Sequence, residues 1–397
     1  MTDRMTSADH NVDRQLAGFR PVNATPISDS AHQKRIASLQ AQIGISGLAA
    51  VWLDASSSLT YFTGLSLGQS ERIHGALIMA DGPPVYVTPV FEAPKLNSMM
   101  RLPGPLLMWE EHEDPFALIA GHVAQYKGRG LGLDPATLFR FASRLTHEMQ
   151  GNVVLAEDMI SGLRQIKSAE EITIIQTAMN ASWQVQKAVH AHLRTGITTT
   201  EVCSFVDEAH IALGLKPLFV AVQFGEATAY PHGVPYPQTL KQGDMVLVDM
   251  GGTLHGYQSD ITRTYVFGDP SPRQRQLWQA EHDAHRAAFD AAQLGVSCED
   301  VDAAARASLA AASFGPGYDV PGLPHRTGHG LGLDIHEAPY IVQGNSTRLQ
   351  TGMCFSVEPM LCVYGECGVR LEDIAYMTDT GPRWFSRPSA SLDKPFG

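Results

Sequence analysis

Two short segments of the sequence share one pattern, Gly-Ile/Val-Ser/Thr-x-x-Asp/Glu-Val. The first begins at Gly196 and the second at Gly295, 99 residues further along the chain. In each copy a long helical stretch ends at the glycine, and a second helix begins at the Ser or Thr that follows. A strand-rich segment with acidic residues comes after each copy. We therefore predict an internal duplication of two helix–helix–sheet halves that face each other.

The helix before the first copy is predicted to begin near Ser168 and to end near Gly196. Ser168 and Glu171 have the spacing of a capping box, in which each side chain bonds a free backbone N–H of the first turn. Apolar residues then recur at helical spacing, at Ile172, Ile175, Met179 and Trp183. We expect this stripe to belong to the core.

The chain has 397 residues, which is long enough for two domains. We place an N-terminal arm at residues 1–30, an α/β domain at residues 31–160, and the duplicated domain at residues 161–397. The arm is polar from its first residue and lacks the apolar core of a secretory signal. We expect it to be flexible or partly docked.

The predicted α/β domain carries strand and helix patterns but no chemical motif. The run Leu48–Leu53 predicts a buried strand, and Ala76–Ala80 with Val85–Thr88 predicts two strands joined near an Asp-Gly turn. Ala136–Gln150 predicts a helix. We expect the polar residues of this domain to face the solvent, and we therefore expect no direct catalytic role for it.

Charge and cysteine content exclude several classes of function. The net charge is −12, and a nucleic-acid-binding surface would need clustered basic residues. No apolar run approaches the roughly 20 residues of a membrane span. The five cysteines are an odd number without a pairing pattern. Together these features predict a cytoplasmic protein in a reducing compartment that binds neither nucleic acid nor membrane.

Two aspartates stand out in the first half of the duplicated domain. Asp249 and Asp260 lie in strand-like runs on either side of a glycine-containing connection. If they pair across a hairpin, they project from the same face. Adjacent carboxylates repel each other and raise a pKa unless a cation lies between them. This pair alone leaves a metal site and ordinary turn or cap residues as open alternatives.

The second half repeats the theme with Glu358 and Glu372, each among strand-forming apolar residues. It also contains His325, His329 and His336 within one short segment. A buried, unpaired carboxylate costs several kcal/mol. Four such groups near each other, with a histidine, are best explained by metal ions.

The type of donor narrows the choice of metal. Two divalent ions about 3.5–4 Å apart need bridging carboxylates and a shared water or hydroxide. An oxygen-rich set with one imidazole favours Mn²⁺, with Co²⁺, Fe²⁺ and Zn²⁺ as alternatives. The lack of a cysteine-rich set argues against a closed structural zinc site.

Five motifs in this order resemble the metallopeptidases of the pita-bread fold, peptidase family M24. They are VDMGG, SDITRT, HRTGHGLGLDIHE, SVEP and GVRLED. The resemblance covers the whole chain, and Tyr61-Phe-Thr-Gly64 is similar to the creatinase-type N-terminal domain. The implied fold is α/β (α+β), with a creatinase-like N-terminal α/β domain and a C-terminal pita-bread catalytic domain with pseudo-twofold duplication.

Within that family, Pro231-His-Gly233 and HRTGHG resemble the Xaa-Pro peptidases, and most of all the Xaa-Pro dipeptidases, or prolidases. The resemblance implies a homodimer, two divalent metal ions per subunit, and cleavage of the bond before proline in small Xaa-Pro peptides. Aminopeptidase P, a lyase on the same fold, and a non-catalytic binding protein are the alternatives.

The resemblance also implies a set of metal ligands. Asp249 would hold one metal, Asp260 and Glu372 would bridge both, and His329 and Glu358 would complete the second. Gly328 and Gly330 flank His329 and would let the backbone approach closely.

Further residues would surround the substrate. His232 and His336 would bond the carbonyl oxygen or move protons. His325 would lie at the edge of the site or in the pocket wall, with a purely structural role as its alternative. A hydroxide bridging the metals would attack the carbonyl carbon, and Glu358 would carry its proton to the proline nitrogen.

The sequence departs from the family pattern after Glu358. Met360 stands where a glycine is common, and Cys362 where a tyrosine is usual, while the arginine of the GVR segment is retained as Arg370. A cysteine is shorter than tyrosine and a poorer hydrogen-bond donor. We expect catalysis to survive with an altered rate or substrate range, and we leave open that Cys362 is only a packed residue.

A dipeptidase must bind a free carboxylate as well as a free amine. An arginine is the natural partner for the carboxylate. The sequence offers Arg348 and Arg370 as candidates, and Arg348 is equally suited to be a surface charge.

Overall fold

The computed structural model describes residues 16–126 and 130–396, and it divides the chain into two compact units. The first unit is Ile27–Arg164. The second joins Gln165–Gly397 to the N-terminal segment Met1–Pro26.

Part of the predicted arm can be followed in the structure, whereas residues 1–15 lie outside the described residues. The Val22 N–H donates to the Leu213 carbonyl at 2.8 Å. Nε2 of His255 lies 2.8 Å from the Ala24 carbonyl oxygen. The segment around Val22 and Ala24 is therefore docked on the second unit, to which it belongs.

The first unit is a mixed six-stranded sheet with helices. Its strand order is β4-β3-β2-β1-β5-β6. The strands are β1 Ala50–Asp54, β2 Gly75–Met79, β3 Val85–Pro89, β4 Leu106–Trp109, β5 Leu131–Leu133 and β6 Val153–Leu155. The helices are α1 Asp29–Ser46, α2 Ser57–Thr63, α3 Ala93–Met99, α4 Pro115–Ala124, α5 Phe139–Glu148 and α6 Glu157–Arg164. The three predicted strands and the predicted helix all occur, with ends that differ by at most three residues.

The core of this unit forms where the central strands meet α5. Trp52, Leu77 and Val87 are fully buried in the sheet, and Phe141 and Leu145 pack against them from α5. The central strands are buried on both faces, which explains their nearly continuous apolar sequences.

The first half of the second unit has two helices followed by a small antiparallel sheet. The elements are α7 Ala169–His192, α8 Thr199–Ala212, β7 Lys216–Phe224, β8 Met245–Leu254, β9 Tyr257–Gln258 and β10 Ile261–Val266. The strand order is β10-β8-β7, and β9 pairs with β8.

The second half repeats this order with two helices followed by strands. The elements are α9 Pro272–Ala291, α10 Cys298–Ala311, β11 Gly328–Gly330, β12 Glu337–Ile341, β13 Cys354–Val357, β14 Met360–Val363, β15 Cys367–Arg370, β16 Asp373–Thr378 and β17 Gly381–Trp384. A five-stranded sheet has the order β12-β11-β13-β16-β17, and β14 pairs with β15.

The two copies of the repeated pattern have the same local structure. Gly196 and Gly295 both have positive φ angles, 86° and 79°. Thr198 and Ser297 are the N-caps of the helices that follow. The predicted duplication is confirmed, and a β-bridge between Thr262 and Glu372 joins the strands of the two halves.

The predicted long helix is present as α7, with both hydrogen bonds of the capping box at Ser168 and Glu171. The predicted apolar stripe is only partly buried. Ile175 and Met179 are buried, whereas Ile172 and Trp183 lie half-buried at the edge of the contact face. No helix in the described ranges is both long and apolar enough to cross a membrane.

Candidate metal centre

Asp249 and Asp260 come from the antiparallel pair β8 and β10, but not as direct partners. Thr262 lies opposite Asp249, and Asp260 immediately precedes β10. The sequence suggested that Asp249 and Asp260 are direct cross-strand partners, and this is wrong. The partner of Asp249 is Thr262, two residues after Asp260. Since side chains alternate along a strand, Asp260 still shares the face of Thr262 and points to the side of the sheet that carries Asp249.

His329 is the central residue of β11. A Cβ atom on Gly328 would lie 2.0 Å from the Ser356 carbonyl oxygen, and one on Gly330 would lie 2.3 Å from the Ala338 carbonyl oxygen. Both neighbours of His329 must therefore be glycine for the adjoining strands to approach, as predicted. Nδ1 of His329 lies 3.0 Å from the Gly330 carbonyl, which turns Nε2 toward the acidic residues.

Glu358 and Glu372 complete the group from the second half. Glu358 directly follows β13, and its Oε1 accepts a hydrogen bond from Ser356 at 3.1 Å. Glu372 lies between β15 and β16, where Thr262 donates to its Oε2 at 2.7 Å. Strand ends from both halves thus bring the acidic side chains to one place.

The imidazole of His329 lies among three carboxylates. Its Nε2 is 3.0 Å from Glu358 Oε1, 3.6 Å from Asp260 Oδ2 and 3.8 Å from Glu372 Oε1. Ligand-type atoms of Asp260, His329 and Glu372 all lie within 4.8 Å of one another. Such a group has the donors and the spacing to hold a metal ion.

The carboxylates of this cluster are short of hydrogen-bond donors. Asp249 Oδ1, Asp260 Oδ1 and Glu372 Oε1 are buried and accept no hydrogen bond from any residue within 16–126 and 130–396. Buried polar atoms of this kind are normally satisfied. Carboxylate oxygens with one imidazole nitrogen match the donors that divalent cations such as Mn²⁺ accept, so the residues fit the metal that the sequence predicts.

Electrostatics support the same interpretation. Burial, together with the neighbouring carboxylates, raises the pKa of Asp260 and of Glu372 well above the usual values. Burial also raises the pKa of Asp249. Burial opposes ionisation of Glu358 too, but the charge and hydrogen bond of His329 outweigh it and lower the pKa of Glu358 to about 2. A bound cation would stabilise all four groups in their ionised form.

The three other predicted histidines lie around the cluster. The rings of His336 and His329 are 4.3 Å apart in an edge-to-face contact. Burial and the charges of His329 and Arg326 lower the pKa of His336 to about 4.

Burial also lowers the pKa of His325, whose neighbours include Glu358 and His232. The exposed His232 adjoins Pro231, whose carbonyl accepts from Arg370 at 3.0 Å.

Both arginines that the sequence offers as partners for a substrate carboxylate form contacts within the protein. Arg370 is buried and donates to Asp249 Oδ2 at 2.6 Å, to the Pro231 carbonyl and to Thr262 Oγ1. The exposed Arg348 donates to the Gly295 carbonyl at 2.7 Å, and no contact joins it to the cluster among the described residues. Both guanidinium groups thus have partners within the protein, and their roles toward a substrate carboxylate stay predictions.

The two departures from the family pattern lie on β14. Met360 is paired with Arg370 in the strand register, and its sulfur is 3.7 Å from the guanidinium. Cys362 is fully buried, and burial raises the pKa of its thiol to about 12. Met360 thus packs on the arginine that holds Asp249, whereas Cys362 remains a neutral thiol inside the protein.

Two buried ion pairs that support the site were missed at the level of sequence. Lys167 lies 2.5 Å from Glu337, the residue after His336. Asp302 pairs with Arg306 on α10 at 2.7 Å, and Asp302 also accepts hydrogen bonds from the backbone and hydroxyl of Thr327. The Asp302–Arg306 pair has i,i+4 spacing that a search of the helix could have found. The Lys167–Glu337 pair spans 170 residues and leaves no local signal.

Comparison with known proteins places this geometry in context. The model of the metallopeptidase family M24 matches residues 173–379, and that of the creatinase/prolidase N-terminal domain matches residues 35–166. The probable dipeptidase PepE of Mycobacterium tuberculosis is 36% identical over 88% of this chain and 93% of its own. An Xaa-Pro dipeptidase of Lactobacillus helveticus is 32% identical over 84% of this chain and 92% of its own.

A crystal structure of the dipeptidase PepE from Mycobacterium ulcerans is similar over nearly the whole chain. It has 34% sequence identity and a TM-score of 0.85, and the match covers 92% of this chain and 98% of that one. The two family models together match parts of both units, and residues 173–379 include the position of every candidate ligand described above.

Proposed function

Because this chain belongs to the metallopeptidase family M24, we propose that it is an Xaa-Pro dipeptidase that uses two divalent metal ions. The observation that carries the proposal is the buried cluster of Asp260, His329, Glu358 and Glu372, with Asp249 beside it. The relatives named as dipeptidases and as an Xaa-Pro dipeptidase support the choice of substrate.

The candidate ligands are Asp249, Asp260, His329, Glu358 and Glu372. Divalent ions held by these residues would supply a Lewis acid for the substrate carbonyl and a hydrolytic nucleophile at neutral pH. Asp249 and Glu358 have the more accessible side chains of the set, with 16% and 14% exposed. We infer that the substrate approaches from their side.

Glu358 is our candidate for the proton carrier. Its Oε1 contacts His329 and Ser356, which leaves Oε2 to accept a proton from the attacking water. The proline nitrogen of the substrate carries no hydrogen, so it must gain a proton before it can leave. Glu358 would deliver this proton to the nitrogen as the bond breaks.

His336 and His232 are our candidates for holding the substrate carbonyl. A ring N–H that donates to the carbonyl oxygen stabilises the negative charge that develops there during attack. Arg370 is a positioning residue in this scheme, because it is buried and bonds both Asp249 and the segment that carries His232.

Accompanying proposals concern the metal, the assembly and the compartment. We propose Mn²⁺ because the donors are mostly carboxylate oxygens. We also propose a homodimer in the cytoplasm. The five cysteines are free thiols in the structure, as expected for a reducing compartment.

Metal removal tests the central proposal. Protein stripped with a chelator should lose Ala-Pro hydrolysis, and added Mn²⁺ should restore it, with about two ions bound per chain. Glu358→Gln, which keeps the shape of the side chain, should reduce kcat by at least roughly 100-fold. A fully metal-loaded protein that does not hydrolyse Ala-Pro would contradict the proposal. Faster cleavage of Ala-Pro-Ala than of Ala-Pro would favour an aminopeptidase instead.

A further inference from the structure

The first helix in each half of the duplicated domain contains a pair of fully buried polar side chains. In α7 they are Ser182 and Gln186, and in α9 they are Glu281 and His285. Each pair has i,i+4 spacing and therefore lies on one face of its helix. The two pairs are 99 residues apart, which is also the distance between the two copies of the repeated glycine pattern. They occupy equivalent positions in the two halves.

The pair in α7 contacts the chain on both sides of Asp260. Oγ of Ser182 lies 2.7 Å from Oγ of Ser259, the residue before Asp260. Nε2 of Gln186 donates to the carbonyl of Ile261, the residue after Asp260, at 3.0 Å. The helix thus holds both neighbours of this candidate ligand.

Gln186 also connects the two strands that carry the aspartates. Its amide group donates to the Val248 carbonyl on β8 at 2.8 Å, directly before Asp249. An amide nitrogen has two hydrogens, and Gln186 uses one for β8 and the other for β10. One buried side chain therefore sets the spacing of the two strands next to both aspartates.

The pair in α9 occupies the same place relative to Glu372. Oε1 of Glu281 accepts a hydrogen bond from the N–H of Leu371, the residue before Glu372, at 3.1 Å. Nε2 of His285 lies 3.6 Å from Oδ2 of Asp373, the residue after Glu372. The second distance is longer than a hydrogen bond, so Glu281 makes the stronger contact.

These helices hold the residues beside the ligands and leave the ligand oxygens available. Oδ1 of Asp260 and Oε1 of Glu372 accept no hydrogen bond within the described part of the chain. Core packing alone would not require polar side chains at these positions, because a buried polar group carries a desolvation cost that an apolar residue does not have. Their repetition beside both carboxylates indicates a role in the site.

We propose that Gln186 and Glu281 are positioning residues that fix the distance between Asp260 and Glu372, the two carboxylates expected to bridge the metals. Ser182 and His285 would assist them. The inner faces of α7 and α9 would thereby set the spacing of the two ions from outside the site. This inference rests on the two-metal site of the proposed function and adds the residues that hold its shared ligands.

The test measures Mn²⁺ binding to the stripped full chain by calorimetric titration. Gln186→Met and Glu281→Met remove the hydrogen-bonding groups and keep side chains of similar length. Each should weaken Mn²⁺ binding roughly 10-fold, the lower end of the range for groups that orient metal ligands. Glu281→Gln keeps an oxygen acceptor for the Leu371 N–H and should bind Mn²⁺ almost as the wild-type protein does. Ser182→Ala, a smaller change, should weaken binding in the same direction and serves if a Met variant does not fold.

A spectroscopic measurement and a matched control separate this role from a general loss of stability. The electron paramagnetic resonance spectrum distinguishes a spin-coupled pair of Mn²⁺ ions from isolated ions, and the two Met variants should show a smaller coupled fraction. Gln40 on α1 also donates to two carbonyls, those of Met79 and Gly82, at 3.1 and 2.8 Å. It lies in the unit that contains none of the candidate ligands, so Gln40→Met should change neither the affinity nor the spectrum.

The outcomes distinguish this inference from the proposed function. If the wild-type protein binds two ions and cleaves Ala-Pro, but both Met variants and Ser182→Ala bind Mn²⁺ equally tightly, this inference alone is overturned. An equal loss of affinity in Glu281→Gln or in Gln40→Met would also overturn it, because the hydrogen bonds beside the ligands would then not be the cause. Wild-type protein that binds two ions without cleaving Ala-Pro would remove the proposed substrate, and the affinities would still decide on the positioning residues. Wild-type protein that binds no Mn²⁺ would remove both proposals.

Discussion

Asp249 differs from the other candidate ligands because one of its oxygens is already bonded to a buried arginine. Arg370 links this carboxylate to the Pro231 carbonyl and to Thr262. Contacts of this kind orient a metal ligand, and their loss typically weakens metal binding by 10- to 100-fold. One residue therefore connects a candidate ligand with the segment that carries His232.

Arg370→Lys tests this orientation, because it keeps the positive charge and removes the fork of donors. We expect metal affinity, measured by calorimetric titration of the stripped protein, to fall roughly 10-fold. The exposed Arg383→Lys, which makes the same chemical change, should bind metal as the wild-type protein does. Unaltered affinity in Arg370→Lys would show that the charge alone matters and that orientation does not.

At the scale of elements, the loop that leads to β11 is held by α10. Arg306 donates to the carbonyls of Gly317, Leu323 and His325 at 2.7, 3.0 and 2.6 Å. Asp302, one turn earlier, accepts from Thr327. A single helical turn thus holds both ends of the loop that enters the histidine-rich segment.

Replacing Arg306 should loosen this loop while leaving the helix intact. For Arg306→Lys we expect faster amide hydrogen exchange in residues 317–327 and a roughly 10-fold lower kcat/KM, because small misplacements near the reacting groups are costly. Arg275→Lys is the matched control, since it alters an exposed Arg–Asp pair of little energetic weight. Unchanged exchange in the loop would contradict the role we assign to α10.

At the scale of the whole molecule, buried histidines make stability depend on pH. Burial is the largest cause that lowers the pKa of His32 and of His210 from 6.5 to about 4. The unfolded chain therefore binds protons more readily than the folded chain between these pH values. Stability is fully present above about pH 6.5 and is lost as the pH falls toward 4.

The free energy of unfolding should fall by roughly 2 kcal/mol per such histidine between pH 7 and pH 4.5. Denaturant titrations at a series of pH values would measure this. His32→Gln should flatten the dependence, most clearly in hydrogen exchange of α1, which carries His32. The exposed His147 on α5 provides the control, because His147→Gln should leave the slope unchanged. A wild-type stability that is constant over this range would refute the expectation.

The pattern of residues along the chain was enough to predict the main elements and to select acidic residues that the structure brings together around His329. Helix starts at Ser168, Thr198 and Ser297 depend on caps within a few residues of sequence. Gly328 and Gly330 indicate that neighbouring backbone lies close to both sides of His329, because a side chain at either position would meet a carbonyl oxygen. Acidic residues within apolar strands identify a buried site because their burial is costly without a cation. Each of these signals depends on residues close together in the sequence, so residue type and spacing are sufficient to recognise it.

The partners of charged side chains were decided only by the tertiary structure. Sequence spacing paired Asp249 with Asp260, whereas the strand register pairs it with Thr262. Arg370, a candidate for the substrate, bonds Asp249, which is 121 residues away. The sequence did not single out Arg326. In the structure its guanidinium stacks on the Tyr340 ring and has no ion pair among the described residues. A hydrogen bond depends on distances and angles of a few tenths of an ångström between groups that meet only after folding, and the order of residues along the chain does not contain that information.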